Sequence, residues 1–234
     1  MKHEDTVLAG IAGYVDTLGF VALFGLFTAH VTGNFVLIGA QAGGFAEGAL
    51  IKLLAFPAFV AGVVLSSFLV RWLPRPLAPS VLYATQTMLL LAFCLMGIQV
   101  SPVVDPDDMS VILCGMTGAT AMGIQNAHSR LIVRVGVPNT VMTGNVTQAV
   151  LDIVDLIGRR CSQEIRQAAR ARLSRTLPAV AAFGLGAIAG AVAYREMLFV
   201  ALLLPVALLA AMTLVAWRRR PPAHSDSAGA IDER

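Results

Sequence analysis

Charged side chains are scarce here: 13% of the 234 residues are Asp, Glu, Lys or Arg, about half the share in a soluble domain. So few charges cannot clothe a water-facing surface, which excludes an ordinary soluble globule. Cysteine is rarer still. Cys94, Cys114 and Cys161 form an odd set without a close pair, which excludes a disulfide framework and a cysteine zinc site. Aromatics make up 7%, and none interleave with basic residues as a nucleic-acid groove requires. A nucleic-acid partner is therefore not expected, and the net charge of +3 reads as membrane topology. No Ser/His/Asp set, H-E-x-x-H or paired-carboxylate motif appears, so neither an enzyme nor a cofactor is expected. The first residues lack the basic start and A-x-A-like end of a cleaved signal, so the first apolar run is expected to stay in the chain.

What is abundant is hydrophobic residues, 57% of the chain, in runs near the roughly 20 residues that cross a hydrocarbon core. Leu53–Val70, Val81–Val100, Met109–Ala127, Leu177–Tyr194 and Met197–Trp217 carry no formal charge inside. Thr6–Ala29 makes a sixth span if Asp16 is tolerated. Val31–Gly43 is short, and Pro138–Ile157 carries Asp152 and Asp155. If these two weak segments dip in and return, 15 of the 17 basic residues lie inside, all but Lys52 and Arg195. If both cross, Arg71, Arg75, Arg130, Arg134 and Arg195 lie outside and only 12 of 17 remain inside. The positive-inside rule selects the first arrangement. It predicts an all-α membrane protein with both termini cytoplasmic, about six spanning helices and two re-entrant or broken half-helices, in a bacterial inner membrane.

The sequence also repeats itself. Gly13-Tyr14-Val15-Asp16 precedes Thr32-Gly33-Asn34, and Gly123-Ile124-Gln125-Asn126 precedes Thr143-Gly144-Asn145 at nearly the same spacing. Downstream, Phe59-x-x-Gly62-x-x-x-Ser66 recurs as Phe183-x-x-Gly186-x-x-x-Gly190. A repeat with three spans has odd parity, so the second copy must insert upside down, the 3+3 inverted-repeat architecture of many secondary transporters. The expected parts are a first repeat at 1–100, a periplasmic linker at 101–108, a second repeat at 109–217 and a disordered cytoplasmic tail at 218–234. Within the second repeat, residues 158–176 are expected as a basic amphipathic stretch along the cytoplasmic lipid surface. The small-residue rows Gly62/Ser66, Gly115/Ala119/Gly123 and Gly186/Gly190 suit close helix packing, or a homodimer face as the alternative.

These paired motifs, His30-Val31-Thr32-Gly33-Asn34 with Asn126 and Thr143-Gly144-Asn145, resemble the YoaK-like family of bacterial membrane proteins over residues 7–217. The resemblance implies a polytopic membrane location and brings no activity, so function rests on the residues.

Asp16 stands out. An ionised carboxylate at membrane depth costs at least about 2.5–3.5 kcal/mol, so it needs compensating donors or a proton. It is the candidate proton-coupling and substrate-binding group, with His30 beside it; an Asp that pairs with a neighbouring helix is the plainer reading. Asn126 holds the equivalent position in the second half. Each T-G-N can start a half-helix whose N–H groups and positive end face a site for an anion or polar solute. Thr32, Gly33, Asn34, Gln125, Asn126, Thr143, Gly144 and Asn145 are therefore expected to line that site with Asp16, and Asp16, Asn34, Asn126 and Asn145 to converge on one cavity near mid-depth. Gln148 is a further candidate. No metal is expected, because His30 and His128 lack close ligand spacing. The reading that joins these features is a secondary transporter or facilitator of a small polar or anionic solute; a small channel, a membrane-embedded enzyme and a scaffold are the alternatives.

Overall fold

In the computed structural model the described residues are 4–132, 142–158 and 161–219. They form eight α-helices and one 3₁₀ turn, with no strand among the described residues. In chain order these are α1 (Glu4–Ala22), α2 (Val31–Ala42), α3 (Ala49–Trp72), α4 (Ala78–Val100), α5 (Met109–Leu131), α6 (Met142–Ile157), α7 (Gln163–Met197) and α8 (Leu203–Arg218), with a 3₁₀ turn at Leu198–Leu202 between the last two. Among the described residues, four stretches are long and apolar enough to cross a membrane: Glu4–Ala22, Ala49–Trp72, Ala78–Val100 and Gln163–Arg218, the last holding both α7 and α8.

The ends of the helices follow local chemistry. α1 stops at Ala22, seven residues short of the Ala29 expected from the apolar run. Phe24 and Gly25 take φ of 51° and 80° there, a left-handed turn that no helix continues through. Burial of Leu23 and Leu26 offsets the strain at Phe24. α5 begins at Asp108, whose side chain accepts from the Ser110 N–H at 2.7 Å. The Ser110 hydroxyl and N–H hold this carboxyl below the usual carboxylate range. α7 starts at the Ser162 cap, which accepts from the Ile165 N–H at 3.3 Å, and runs unbroken for 35 residues. The basic stretch expected to lie flat is thus, from Gln163 on, the first turns of a continuous helix. Its good helix formers, Ala169 and Arg170 among them, give no reason to break before the apolar part. Residues 159–160 and the tail from 220 on lie outside the described residues, as do 138–141 of the second weak segment.

Two helix pairs dominate the packing, α1 with α7 and α3 with α5, while α2 lies on α3 and α6 on α7. The glycines make the close approach possible. A Cβ on Gly13 would overlap the Phe183 carbonyl, and one on Gly186 the Gly10 carbonyl. Across the other pair, a Cβ on Gly123 would overlap the Phe59 carbonyl, and one on Gly62 the Thr120 carbonyl. All the small-residue rows face inward: Gly115 meets Leu26 and Ile51, and Gly190 meets Tyr14. Near the turn at Leu198–Leu202, Phe199 is fully buried against Gly97 and Phe93, and the Tyr14 hydroxyl donates to the Ala201 carbonyl at 2.9 Å.

Candidate functional site

The break after α1 places the site. Asp16 sits in the fourth turn of α1 and is 3% exposed, and the returning chain at 28–30 wraps its carboxylate. Oδ1 accepts from the Ala29 N–H at 2.7 Å, the Thr28 hydroxyl at 3.3 Å and the His30 N–H at 3.5 Å. Oδ2 lies 2.7 Å from His30 Nδ1, which donates when the carboxylate is ionised. This donor cradle is what offsets the charge at depth. One proton can be held between Asp16 and His30, and an anion that displaced the carboxylate would find the same donors. His30 is a third exposed and sets its ring edge against Phe183 at 5.3 Å between centroids.

The first T-G-N does begin a helix, since Thr32, Gly33 and Asn34 lie in the first turns of α2. His30 is the cap position without a side-chain cap bond. Asn34, fully buried, instead clamps Phe27 from both sides: its Oδ1 accepts from the Phe27 N–H at 2.9 Å and its Nδ2 donates to the Phe27 carbonyl at 2.8 Å. Asp16 and Asn34 thus fasten opposite ends of one short turn.

In the second half Thr143, Gly144 and Asn145 lie in the first turn of α6, and Asn145 is buried. Met142, at its start, packs on Ala9 and Ala179. Gln125 is fully buried, donating to the Leu8 carbonyl at 2.7 Å and accepting from Gln86 Nε2 at 2.7 Å. Ala9 and Leu8 are seven and eight residues from Asp16, about 10–12 Å along α1 at 1.5 Å per residue. The Asp16 cradle and the contacts of Gln125 and Met142 thus occupy two positions, one either side of the middle of α1. Gln148 bonds Asp152 at 2.9 Å, and Asp152, fully buried, is gripped by Arg172 Nε at 3.0 Å and Nη2 at 2.6 Å. That network fastens α6 to α7.

The whole arrangement, from Thr6 to Val215, matches the family described as protein of unknown function (DUF1275). The chain belongs to the DUF1275 family. It is similar to the UPF0700 transmembrane protein YoaK of Bacillus subtilis (strain 168), at 29% identity over 152 residues, covering 63% of this chain and 65% of that relative's length. No solved structure matches. With its apolar helices and a transmembrane relative, this DUF1275 chain is a multi-pass membrane protein.

A third polar group went unread in the sequence of this DUF1275 member. The Tyr83 hydroxyl donates to Glu4 Oε1, and His128 Nε2 lies 3.9 Å from the same oxygen. The His128 ring lies 4.5 Å from that of Tyr83, is 1% exposed and makes no hydrogen bond through either nitrogen among the described residues. Separations of 79 residues between Glu4 and Tyr83 and 124 between Glu4 and His128 left no local motif to find. Glu4 is twelve residues from Asp16, about 18 Å along α1, so His30 and His128 attend opposite ends of this helix and cannot share a metal.

Proposed function

We propose that this chain is a secondary transporter or facilitator of a small polar or anionic solute, proton-coupled through Asp16 and His30. The observation that carries the reading is the Asp16 carboxylate, buried in a membrane-spanning helix and held by the donors of a broken segment. A purely structural Asp needs no titratable partner; this one shares its second oxygen with an imidazole that is partly exposed. An incoming anion competes with the carboxylate for the Ala29 and His30 N–H groups, and the displaced carboxylate takes the proton. Binding of the anion and uptake of the proton then go together, which is a coupling device.

The reading includes a 3+3 inverted repeat of six spanning helices with α2 and α6 as half-helices. The packing supports it pair by pair. Adding 110 to positions on α1, or 124 to positions on α3, turns the Gly62 contact on Thr120 into that of Gly186 on Gly10. The Gly13 contact on Phe183 likewise corresponds to that of Gly123 on Phe59. α2 on α3 corresponds to α6 on α7. In this frame the chain sits in the bacterial cytoplasmic membrane with both termini inside. A cysteine placed at Asp107 is then expected to react with an impermeant maleimide added outside, while native Cys161 is spared; the reverse labelling overturns the orientation.

Binding is tested on detergent-purified protein by a thermal-shift screen of small carboxylates, inorganic phosphate, purines and sugars, at one acidic and one neutral pH. An anion that raises the melting temperature more at acidic pH, when the proton already occupies the Asp16–His30 pair, supports the reading. Stabilisation by neutral solutes alone, without pH dependence, favours a channel or facilitator without coupling. The absence of any stabilising solute counts against both.

A further inference from the structure

One end of the molecule carries a cavity that the Asp16 site does not use. It has a volume of about 680 Å³ and lies where the C-terminal ends of α3 and α5 meet the N-terminal end of α4. Val70, Leu73, Leu131 and Ile132 form an apolar wall, and Arg71 and Arg75 line it as well. Both arginines are exposed, and neither has an acidic partner among the described residues.

The third side is the start of α4. Ala78 and Pro79 line the cavity, and this 23-residue helix begins with no side-chain cap bond. A long helix presents a positive end to whatever occupies the space before its first turn. Two unpaired guanidiniums and a helix N-terminus around one cavity call for an anion, and the planar forks of arginine suit phosphate oxygens. The apolar wall calls for something more than a bare ion: the anion must carry a hydrocarbon part.

We propose that this cavity seats the phosphate headgroup of an anionic phospholipid, with Arg71, Arg75 and the α4 start on the phosphate and the upper acyl chain along Val70, Leu73, Leu131 and Ile132. The site belongs at the cytoplasmic membrane surface, where Arg71 and Arg75 fall in the orientation given above. It stands independently of any transport activity. Its neighbour is informative: the Ile132 N–H donates to the His128 carbonyl at 3.0 Å, so the cavity wall is one helical turn from the buried His128–Tyr83–Glu4 group. A lipid seated here would steady the inner ends of α1, α4 and α5 together.

The test uses the full chain reconstituted in nanodiscs of phosphatidylglycerol and phosphatidylcholine in equal amounts, followed by native mass spectrometry of the lipid that stays bound. Wild-type protein should retain phosphatidylglycerol in preference. R71Q/R75Q should retain it about 30-fold less, about fivefold for each arginine lost. R71K/R75K should keep part of the preference, and R195Q, an exposed arginine at the opposite end beside Glu196, should keep all of it. Should the double variant not purify, the single R71Q and R75Q variants read the same effect. Equal retention by wild type and the glutamine variants overturns the proposal. A second arm adds inorganic phosphate alone to delipidated protein. If millimolar phosphate stabilises wild type but not R71Q/R75Q, and no phosphatidylglycerol preference exists, the site takes a free anion and the lipid assignment falls.

Discussion

Asp16→Ala is expected to unfasten the turn between α1 and α2. The change removes the only acceptor among the described residues for the Ala29 N–H and the Thr28 hydroxyl, both buried. Each buried donor left without a partner costs about 1–3 kcal/mol, so a loss of about 3 kcal/mol or more is expected, read as a lower thermal midpoint in detergent. Asp16→Asn behaves differently. The asparagine oxygen still accepts from the Ala29 N–H, and its amide can donate to His30 Nδ1 once that ring changes tautomer. It should fold nearly as well as wild type while being unable to carry a proton. If Asp16→Ala is as stable as wild type, the turn is held by something other than this carboxylate.

The second large effect concerns the helix crossings. Gly62→Leu and Gly186→Leu should each cost about 3 kcal/mol or more, because the added atoms meet backbone carbonyls of Thr120 and Gly10 rather than a side chain that could swing away. The two losses should be similar, since the positions are equivalent in the proposed repeat. Gly184, one helical position from Phe183 but with open space around its Cβ position, is the control. Gly184→Ala should be neutral or gain roughly 0.5–1 kcal/mol from helix propensity. Thermal midpoints of the purified variants check all three. Equal tolerance at Gly62, Gly186 and Gly184 would mean that the close crossings do not hold the bundle together.

Much of this architecture could be read from residue order. The T-G-N triplets do start short helices, and the glycines of the second repeated motif do sit at helix crossings, because spacing and small size are local properties that sequence carries directly. The Asp16 partner set was legible in part: His30 was named beside it, yet the donors from Thr28 and Ala29 depend on a turn at Phe24–Gly25 inside what reads as one apolar run. Hydropathy cannot register that turn, since Phe24, Leu26 and Phe27 are as apolar as a helix interior. The clamp that Asn34 makes is not legible for a related reason. An Asn near a helix start suggests a cap, whereas here its amide reaches back to Phe27. The Glu4–Tyr83–His128 group brings together three helices far apart in the chain, so only the fold assembles it. In the sequence Asp152 only weakens an apolar run, and its partner Arg172 lies twenty residues on, beyond any periodic pattern.

Proton flux separates anion transport coupled to a proton on Asp16 from a carboxylate that only fastens a turn. Wild-type and Asp16→Asn proteins, reconstituted at equal density in liposomes containing a trapped pH dye, would be exposed in turn to gradients of the anions that stabilise the wild type. At least one anion gradient should drive acidification of the lumen with wild type and none with Asp16→Asn, while the variant still exchanges labelled anion across the membrane. Acidification of equal size in both proteoliposomes would contradict that coupling and leave Asp16 as the fastening of a turn.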